Sequence, residues 1–382
     1  MDKKKILIIS FSRLNSDPRV YRQIANLSRS YTVIAAGLNS PDLEGVEFVQ
    51  ISERSRSLVK NAKRALLLKM RRYDDYYRET FEFKGLLDRV KNEKLDLIIA
   101  NDSDSLQLAF MISDGSNVLH DAHEYAPRQQ EEKLYWRFFM MRYRDHLCRE
   151  YLKRCRAMIT VSDGIALEYE RQYGVKSYVI TNATEFVDIQ PSSVFENRIR
   201  MIHHGSANKA RRIETMIEVM ELLDGRFSLD LMLLPTDAKY LDSLRKKAKH
   251  LNNVRFRQPV PMKEIVWASN DYDVGIYIFE PSNFNHQHAL PNKLFEFLQA
   301  RLAVAIGPSP EMANIIRKYD CGVIAKDFKP ETMAEELRTL SREKLIHLKQ
   351  HSARAAQEVN SERNMTRLSD IVSRFMAIEE GR

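Results

Sequence analysis

Two doubly wound α/β domains, followed by a helical tail, are the fold the sequence predicts, and three observations predict it. Short apolar runs alternate with amphipathic segments along the first half. The alternation lapses over residues 182–197 and then restarts. With 382 residues, 44% of them hydrophobic, the chain is long enough for each half to bury a core of its own.

The elements follow in order. Residues 6–11 read as the first strand, because Met1-Asp2-Lys3-Lys4-Lys5 leads into an apolar run too short for a signal peptide and without a cleavage site. Further strands are expected at 31–36, 46–51, 95–100, 117–120, 157–161 and 178–181. Val20, Ile24 and Leu27 share one face of an intervening helix. Apolar strands separated by helices belong to a parallel sheet covered on both sides, with right-handed crossovers. Glu185-Phe186-Val187-Asp188 and Pro191-Ser192-Ser193 then interrupt the pattern. Beyond them, strands are expected at 200–204, 229–234, 254–257, 274–279, 303–306 and 323–325, with helices at 213–223 and 240–250. A helical tail begins at about Pro330. The expected domains are 1–185 and 198–360, with a last helix over 361–382 packing back on the first domain.

Composition narrows the function. Nothing approaches the run of about 18 apolar residues that a membrane span needs. Cys148, Cys155 and Cys321 form no CxxC pair and no zinc-like cluster, and such sparse usage suits a reducing cytoplasm. A net charge of +8 favours anionic partners: a phosphorylated substrate, an anionic membrane surface or nucleic acid. Asp102-Ser103-Asp104 has the form of an Asp-x-Asp metal motif, but it leads from a strand into a helix, where Asp102 or Asp104 reads better as an N-cap. Asp271-Tyr272-Asp273 is a strand entry, and His286 and His288 lie beside no Cys or carboxylate cluster, so no metal site is expected.

Ligands of open parallel sheets bind beyond the carboxyl ends of strands, which singles out residues 12–19, 101–105, 121–125, 205–212 and 279–296. The stretch His204-Gly205-Ser206-Ala207-Asn208-Lys209-Ala210-Arg211-Arg212 runs from strand through glycine turn and basic cluster to helix. Glycine allows close backbone approach, and the N–H groups of a helix start attract anions. Lys209, Arg211 and Arg212 add cations where a diphosphate fits, although a solvated basic turn has the same spacing. Further on, Pro291 suits a first helical turn, and Lys293 and Glu296 are three apart on one face, the spacing of an ordinary surface ion pair as well.

These segments, taken with Tyr272-Asp273-Val274-Gly275-Ile276, Leu290-Pro291-Asn292-Lys293-Leu294-Phe295-Glu296-Phe297 and Gly322-Val323-Ile324, resemble the retaining glycosyltransferases of family four, of GT-B fold. In the first half, Ser16-Asp17-Pro18-Arg19-Val20 resembles the start of that family's first helix, and His120-Asp121-Ala122-His123-Glu124 its Asp-x-His-Glu segment. Thr160-Val161-Ser162 and Thr181-Asn182-Ala183 resemble later signposts. The resemblance implies two Rossmann-like domains facing across a cleft and a nucleotide diphosphate sugar, of UDP or GDP type, as donor, with no other cofactor. It implies a saccharide or lipid-linked saccharide as acceptor, as in bacterial surface polysaccharide biosynthesis, and no nucleic acid.

The resemblance also supplies a donor-side set of Gly205, Ser206, Asn208, Arg211, His288, Asn292, Lys293 and Glu296, and an acceptor-side set of Asp17, Arg19, His123 and Glu124. His123, Arg211 and Lys293 are the catalytic members. Glu296 matches the second glutamate of the family's Glu-x7-Glu motif, which holds the donor ribose, and a carboxylate suits two adjacent hydroxyls. Arg211 and Lys293 would stabilise charge on the leaving diphosphate, and His123 matches a histidine at the acceptor–sugar interface. The sequence also departs from the family. His288 stands at the first glutamate, Ser206 follows Gly205 where the family has arginine, and Ser12-Arg13-Leu14-Asn15 replaces a glycine-rich loop. Retention by double displacement needs a nucleophilic carboxylate, for which Glu124 is the nearest approach. A front-face path, in which the departing phosphate helps deprotonate the acceptor and arginine and lysine do the work of a metal, is therefore expected. A nucleotide-sugar epimerase of the same fold and a non-catalytic protein binding RNA or an anionic scaffold are the rival readings.

Finally, residues 54–73 contain no acidic residue. Arg54, Arg56, Lys60, Lys63, Arg64, Lys69, Arg71 and Arg72 interleave with apolar residues, with Leu58, Ala62, Ala65 and Leu66 on one helical face. Residues 135–144 again mix aromatic and basic side chains. This is the composition of an interfacial segment, so peripheral docking on the cytoplasmic face of a membrane is expected. Packing of Leu66, Leu67, Leu68, Trp136 and Phe139 into a core is the competing expectation.

Overall fold

The computed structural model describes residues 3–55 and 57–378, so Arg56 of the basic stretch and residues 379–382 of the expected last helix lie outside the described residues. The chain divides into two compact units. The first comprises Met1–Thr181, Asn283–Asn285 and Met365–Arg382; the second comprises Asn182–Ser282 and His286–Asn364. The division thus falls a few residues before the expected end of the first domain. Asn283–Asn285 belong with the first unit, where Asn285 exchanges side-chain hydrogen bonds of 2.7 and 3.2 Å with the Tyr125 backbone.

In the first unit the strands are β1 (Lys5–Ile9), β2 (Thr32–Gly37), β3 (Glu47–Gln50), β4 (Ser52–Glu53), β5 (Phe81–Glu82), β6 (Leu97–Asn101), β7 (Val118–Ala122), β8 (Ala157–Thr160) and β9 (Tyr178–Val179). Among the described residues they form a seven-stranded sheet of order β3-β2-β1-β6-β7-β8-β9, parallel throughout. The short β4 and β5 pair antiparallel outside it and were not anticipated, because two-residue strands leave no periodic signal. Consecutive residues of β1 are buried on alternate faces. Leu7 and Ile9 join a core with Ile98, Leu108 and Tyr169. Ile6 and Ile8 join another with Val20, Ile24 and Leu27 and with Leu368 and Val372 of the last helix, Ser361–Ile378.

In the second unit, β10 (Ile199–Ser206), β11 (Phe227–Leu234), β12 (Val254–Arg257), β13 (Val274–Tyr277), β14 (Ala303–Ile306) and β15 (Gly322–Ile324) form a parallel sheet of order β12-β11-β10-β13-β14-β15. Gly275 has no side chain because the helix Asn292–Gln299 lies against it: a Cβ there would sit 2.3 Å from Phe297 Cγ. The doubly wound architecture is therefore present twice. The helical tail resolves into Pro330–Arg338, Arg342–Glu358 and Ser361–Ile378. Among the described residues, no helix is long and apolar enough to cross a membrane.

Candidate functional site

In the second unit the chain runs outward from β10 to β11 and β12, then returns to β13 on the other side of β10. The strand order reverses between β10 and β13, the kind of switch point at which open parallel sheets form a ligand crevice beyond the carboxyl ends of their strands. There β10 finishes in Gly205-Ser206, and Gly205 has a φ of 131°, a conformation that only glycine adopts readily. Its missing side chain makes room for Lys293, whose Nζ lies 2.5 Å from where a Cβ would be. Lys293 donates to the His204 carbonyl and stands 5.3 Å from the centre of the Tyr277 ring. Arg211 donates to Tyr277 Oη at 2.9 Å and lies 4.9 Å over Phe279. His203, Tyr277 and Phe279 stack in turn at 5.8 and 5.6 Å, so both cations rest on one aromatic column.

Burial and the nearby Arg211 charge push the Lys293 pKa down to about 8, against the opposing pull of Glu296. One helical turn on, burial raises the Glu296 carboxyl above its ordinary range, with Lys293 opposing. Glu296 Oε2 lies 3.7 Å from His204 Nε2. That contact is no ion pair, because burial and then Lys293 hold His204 well below the ordinary imidazole range, hence neutral. Two cations at a closely approachable backbone suit a diphosphate, and a largely buried carboxylate one turn away suits a diol.

The first unit reverses its strand order between β1 and β6, and again polar side chains gather at the carboxyl ends. Asp121, wholly buried in β7, receives a bidentate Arg19 guanidinium at 2.9 and 2.7 Å and Gln23 Nε2 at 2.6 Å. Gln23 Oε1 accepts from Asn101 Nδ2 at 3.1 Å, and Asn101 Oδ1 faces His123 Nε2 at 3.2 Å. On the other side of the ring, His123 Nδ1 is 3.3 Å from Asp102, which also accepts the His123 backbone N–H at 3.2 Å. Asp102 holds this position at a φ of 58°, a strained conformation for a residue with a side chain. Next along, Glu124 lines a cavity of about 50 Å³ with Asp102, Gln129 and Tyr169. Burial, then the Asp102 charge, raises its carboxyl to about 7.

No protein-family model matches the chain. No curated protein matches it either. Solved structures do resemble it. Sucrose-phosphate synthase from Thermosynechococcus elongatus superposes with a TM-score of 0.72 at 12% identity, covering 98% of this chain and all of that one. A glycosyltransferase from Rickettsia africae gives 0.69 at 12%, over 98% and 99%. HepE from Anabaena, in complex with UDP and glucose, gives 0.65 at 12%, over 97% and 99%. The fold is GT-B.

Within this GT-B chain the structure sorts the expected site residues. Gly205, Arg211, Lys293 and Glu296 come together at the β10–β13 crevice, and His123 and Glu124 stand at the ends of the first sheet. Others are engaged differently. Asn208 Oδ1 caps the turn after β10 by accepting from Ala210 N at 2.9 Å, Ser206 is exposed, and Asn292 is exposed at the start of its helix. Arg212 forms an ion pair with Glu280, which leaves Arg211 as the cluster member beside Lys293. His288 bonds a carboxylate remote in sequence, Glu311 of the helix Pro310–Tyr319, at 2.9 Å. Of the residues expected on the acceptor side, Asp17 caps the helix Pro18–Leu27, accepting from Arg19 N and Val20 N at 3.2 Å, and the Arg19 side chain is buried against Asp121. Both therefore position the site rather than reach outward. The N-cap reading of Asp102 and Asp104 fails as well. Asn101 occupies the cap without a side-chain capping bond, Asp102 clasps His123, and Asp104 pairs with Arg144 at 2.5 Å.

Sequence reasoning missed Gln23 and Tyr277, and gave Asn101 and Phe279 no role beyond opening the segments 101–105 and 279–296. Gln23 was within reach of it, lying four residues after Arg19 on the same helical face, as was the Tyr277–Phe279 pair, two apart on one strand face. It also missed Asp320, His347 and His351, whose ligand atoms lie within 4.8 Å of one another, since Asp320 is remote in sequence from the two histidines one helical turn apart.

Proposed function

We propose that this chain is a glycosyltransferase that moves a sugar from a nucleotide diphosphate sugar of UDP or GDP type to a saccharide or lipid-linked saccharide. The observation that carries the reading is the pairing of Lys293 and Arg211 on one aromatic column beside Gly205, with Glu296 one turn away. In this reading the cations hold the diphosphate and stabilise charge as it leaves, and Glu296 accepts from the ribose hydroxyls. His123 and Glu124 line the acceptor side, held by Asp102, Asn101 and the Arg19–Asp121 pair. The anomeric configuration is retained, by a front-face path that needs no metal. Family four is the branch proposed, and the chain works in polysaccharide assembly at the cytoplasmic face of a membrane, with anionic lipid as its neighbour.

Calorimetric titration with UDP and GDP sugars tests this. Wild type is expected to bind one of them, and Glu296→Ala to bind it ten- to a hundredfold more weakly, the roughly 1.5–3 kcal/mol of a hydrogen bond to a charged group. A folded wild type that binds no nucleotide sugar removes the proposal. Epimer formation without any acceptor would move it to the epimerase reading.

A further inference from the structure

The helix Leu58–Lys69 carries apolar side chains on its outward as well as its inward side. Its inward side is Arg64, Leu67 and Leu68, and the Arg64 guanidinium donates to the Arg54 and Glu79 carbonyls at 3.2 and 2.9 Å. Its outward side carries Leu58, Val59, Ala62 and Leu66, continued by Met70, and Leu58 is 90% exposed. An ordinary surface helix turns its polar face to water.

The segment Trp136–Met140 packs beside this helix: Leu67 and Leu68 share a core with Trp136 and Met140. It too exposes apolar side chains beyond those it buries. Trp136 is buried, its indole donating to the Pro127 carbonyl at 2.9 Å, while Leu134, Tyr135 and Phe138 are exposed. Among the described residues, seven of the fourteen exposed large apolar side chains fall within residues 58–70 and 134–140, two neighbouring stretches, which makes a patch rather than scatter.

Basic residues rim the patch. Lys69, Arg71 and Arg142 are exposed, and a groove of about 620 Å³ alongside has Arg71, Arg142 and Arg149 on its wall against Asp74 and Asp145. The competing expectation of core packing thus holds for Leu67, Leu68 and Trp136 and fails for Leu66. Lys63 and Arg64, by contrast, are occupied, Lys63 with Glu79 at 2.6 Å.

We infer that this patch is a docking face for an anionic lipid bilayer. Leu58, Leu66, Leu134 and Phe138 enter the headgroup–acyl boundary, while Lys69, Arg71 and Arg142 meet lipid phosphates. A second protein would also cover an apolar patch. What favours lipid is the flanking cations, with no acidic residue from Arg54 to Tyr73 or from Lys133 to Arg144. The inference rests on the proposed membrane-side acceptor, but its test needs no donor.

Co-sedimentation with phosphatidylglycerol-containing and pure phosphatidylcholine vesicles at low and high salt decides it. Wild type is expected to pellet with the anionic vesicles only, and less as salt rises. Lys69→Glu with Arg71→Glu should weaken partition about fivefold or more per charge lost. Leu58→Ser with Leu66→Ser and Phe138→Ser should abolish it, and all these sites are exposed, so folding is kept. Equal recovery in the supernatant with both vesicles, or pelleting unchanged in the serine variant, overturns the docking face. Calorimetry with nucleotide sugars on the same preparations separates the two readings. Donor binding without vesicle binding sinks the docking face alone; vesicle binding without donor binding leaves the face and sinks the transferase.

Discussion

Lys293 is a structural strut to which the proposed function also gives the diphosphate. Its ammonium fills the space that Gly205 leaves, bonds the end of β10 through the His204 carbonyl, and still lies within the field of Arg211. Burial has already lowered its pKa to about 8, so its charge is present below that pH and fades above it. The diphosphate diester of a nucleotide sugar has no group titrating near there. Donor affinity should therefore drop as pH rises through about 8, by about fourfold between pH 7 and pH 8.5. Lys293→Met should bind weakly with a flat profile over the same range. A wild-type profile that is already flat would show that Lys293 does not carry the charge the donor meets. His123 is the counterpart in the first unit. Asp121, paired with Arg19, can only accept from Gln23; Gln23 then accepts from Asn101, whose remaining oxygen faces His123 Nε2 while Asp102 faces Nδ1. Both ring nitrogens meet acceptors, which is the partner set of a donor rather than of a general base.

At the scale of elements, the site depends on how closely the helix Asn292–Gln299 lies on β13. Gly275 sets that distance through Phe297, although it faces no proposed ligand. Gly275→Ala must push Phe297 and its helix outward, an overpacking worth about 1–3 kcal/mol, and should carry Lys293 and Glu296 with it. We expect weaker donor binding, with much of it restored when Phe297→Leu is added; donor affinity in the single and double variants measures this, and a single variant binding like wild type would show the helix to be held by other contacts. Much of this element-level order was legible in the sequence. Ile6 to Ile9 and Val304 to Ile306 are apolar at every position, which only a sheet buried on both faces explains, and the glycine-to-helix stretch after β10 and the Lys293–Glu296 spacing pointed to their crevice. What the sequence could not reveal is pairing at a distance. Asp17 and Arg19 were expected on the acceptor side, yet the partner of Arg19 is Asp121, 102 residues on, and the partner of His288 is Glu311. Local patterns report which face of an element is buried; they do not report which charged group the fold brings to meet another.

Across the whole molecule, both sheets contain the same device, and it makes stability depend on pH. His120 in β7 and His203 in β10 are buried, and Nδ1 of each bonds a carbonyl on the adjacent strand, Ala100 O at 2.9 Å and Ile276 O at 3.0 Å. Burial lowers His120 to about 4 and His203 well below the ordinary range, where Lys293 adds to the effect. The sign follows from linkage. Above about pH 6.5 these rings are neutral whether the chain is folded or not; as pH falls below it, the unfolded chain takes up protons that the folded chain refuses, so stability is lost on acidification. Each histidine contributes a slope of up to about 1.4 kcal/mol per pH unit, and His120 a total of about 3 kcal/mol by the time its folded pKa is reached. Glu124 acts in the opposite direction. Its folded pKa of about 7 exceeds the unfolded value, so the stability it adds is present at low pH and lost as pH rises through 7. Glu296, also raised, has the same sign. The wild-type slope therefore mixes both effects, and the informative quantity is a difference between variants. Asparagine can keep the donor to the neighbouring carbonyl without a titrating ring, so His120→Asn and His203→Asn should each flatten the dependence of unfolding free energy on pH between about pH 6 and pH 5. Denaturant melts of wild type and the two variants at several pH values in that window provide the comparison. Curves that stay parallel would mean that the buried rings are protonated alike in folded and unfolded chains, and that acid lability in this protein has another source.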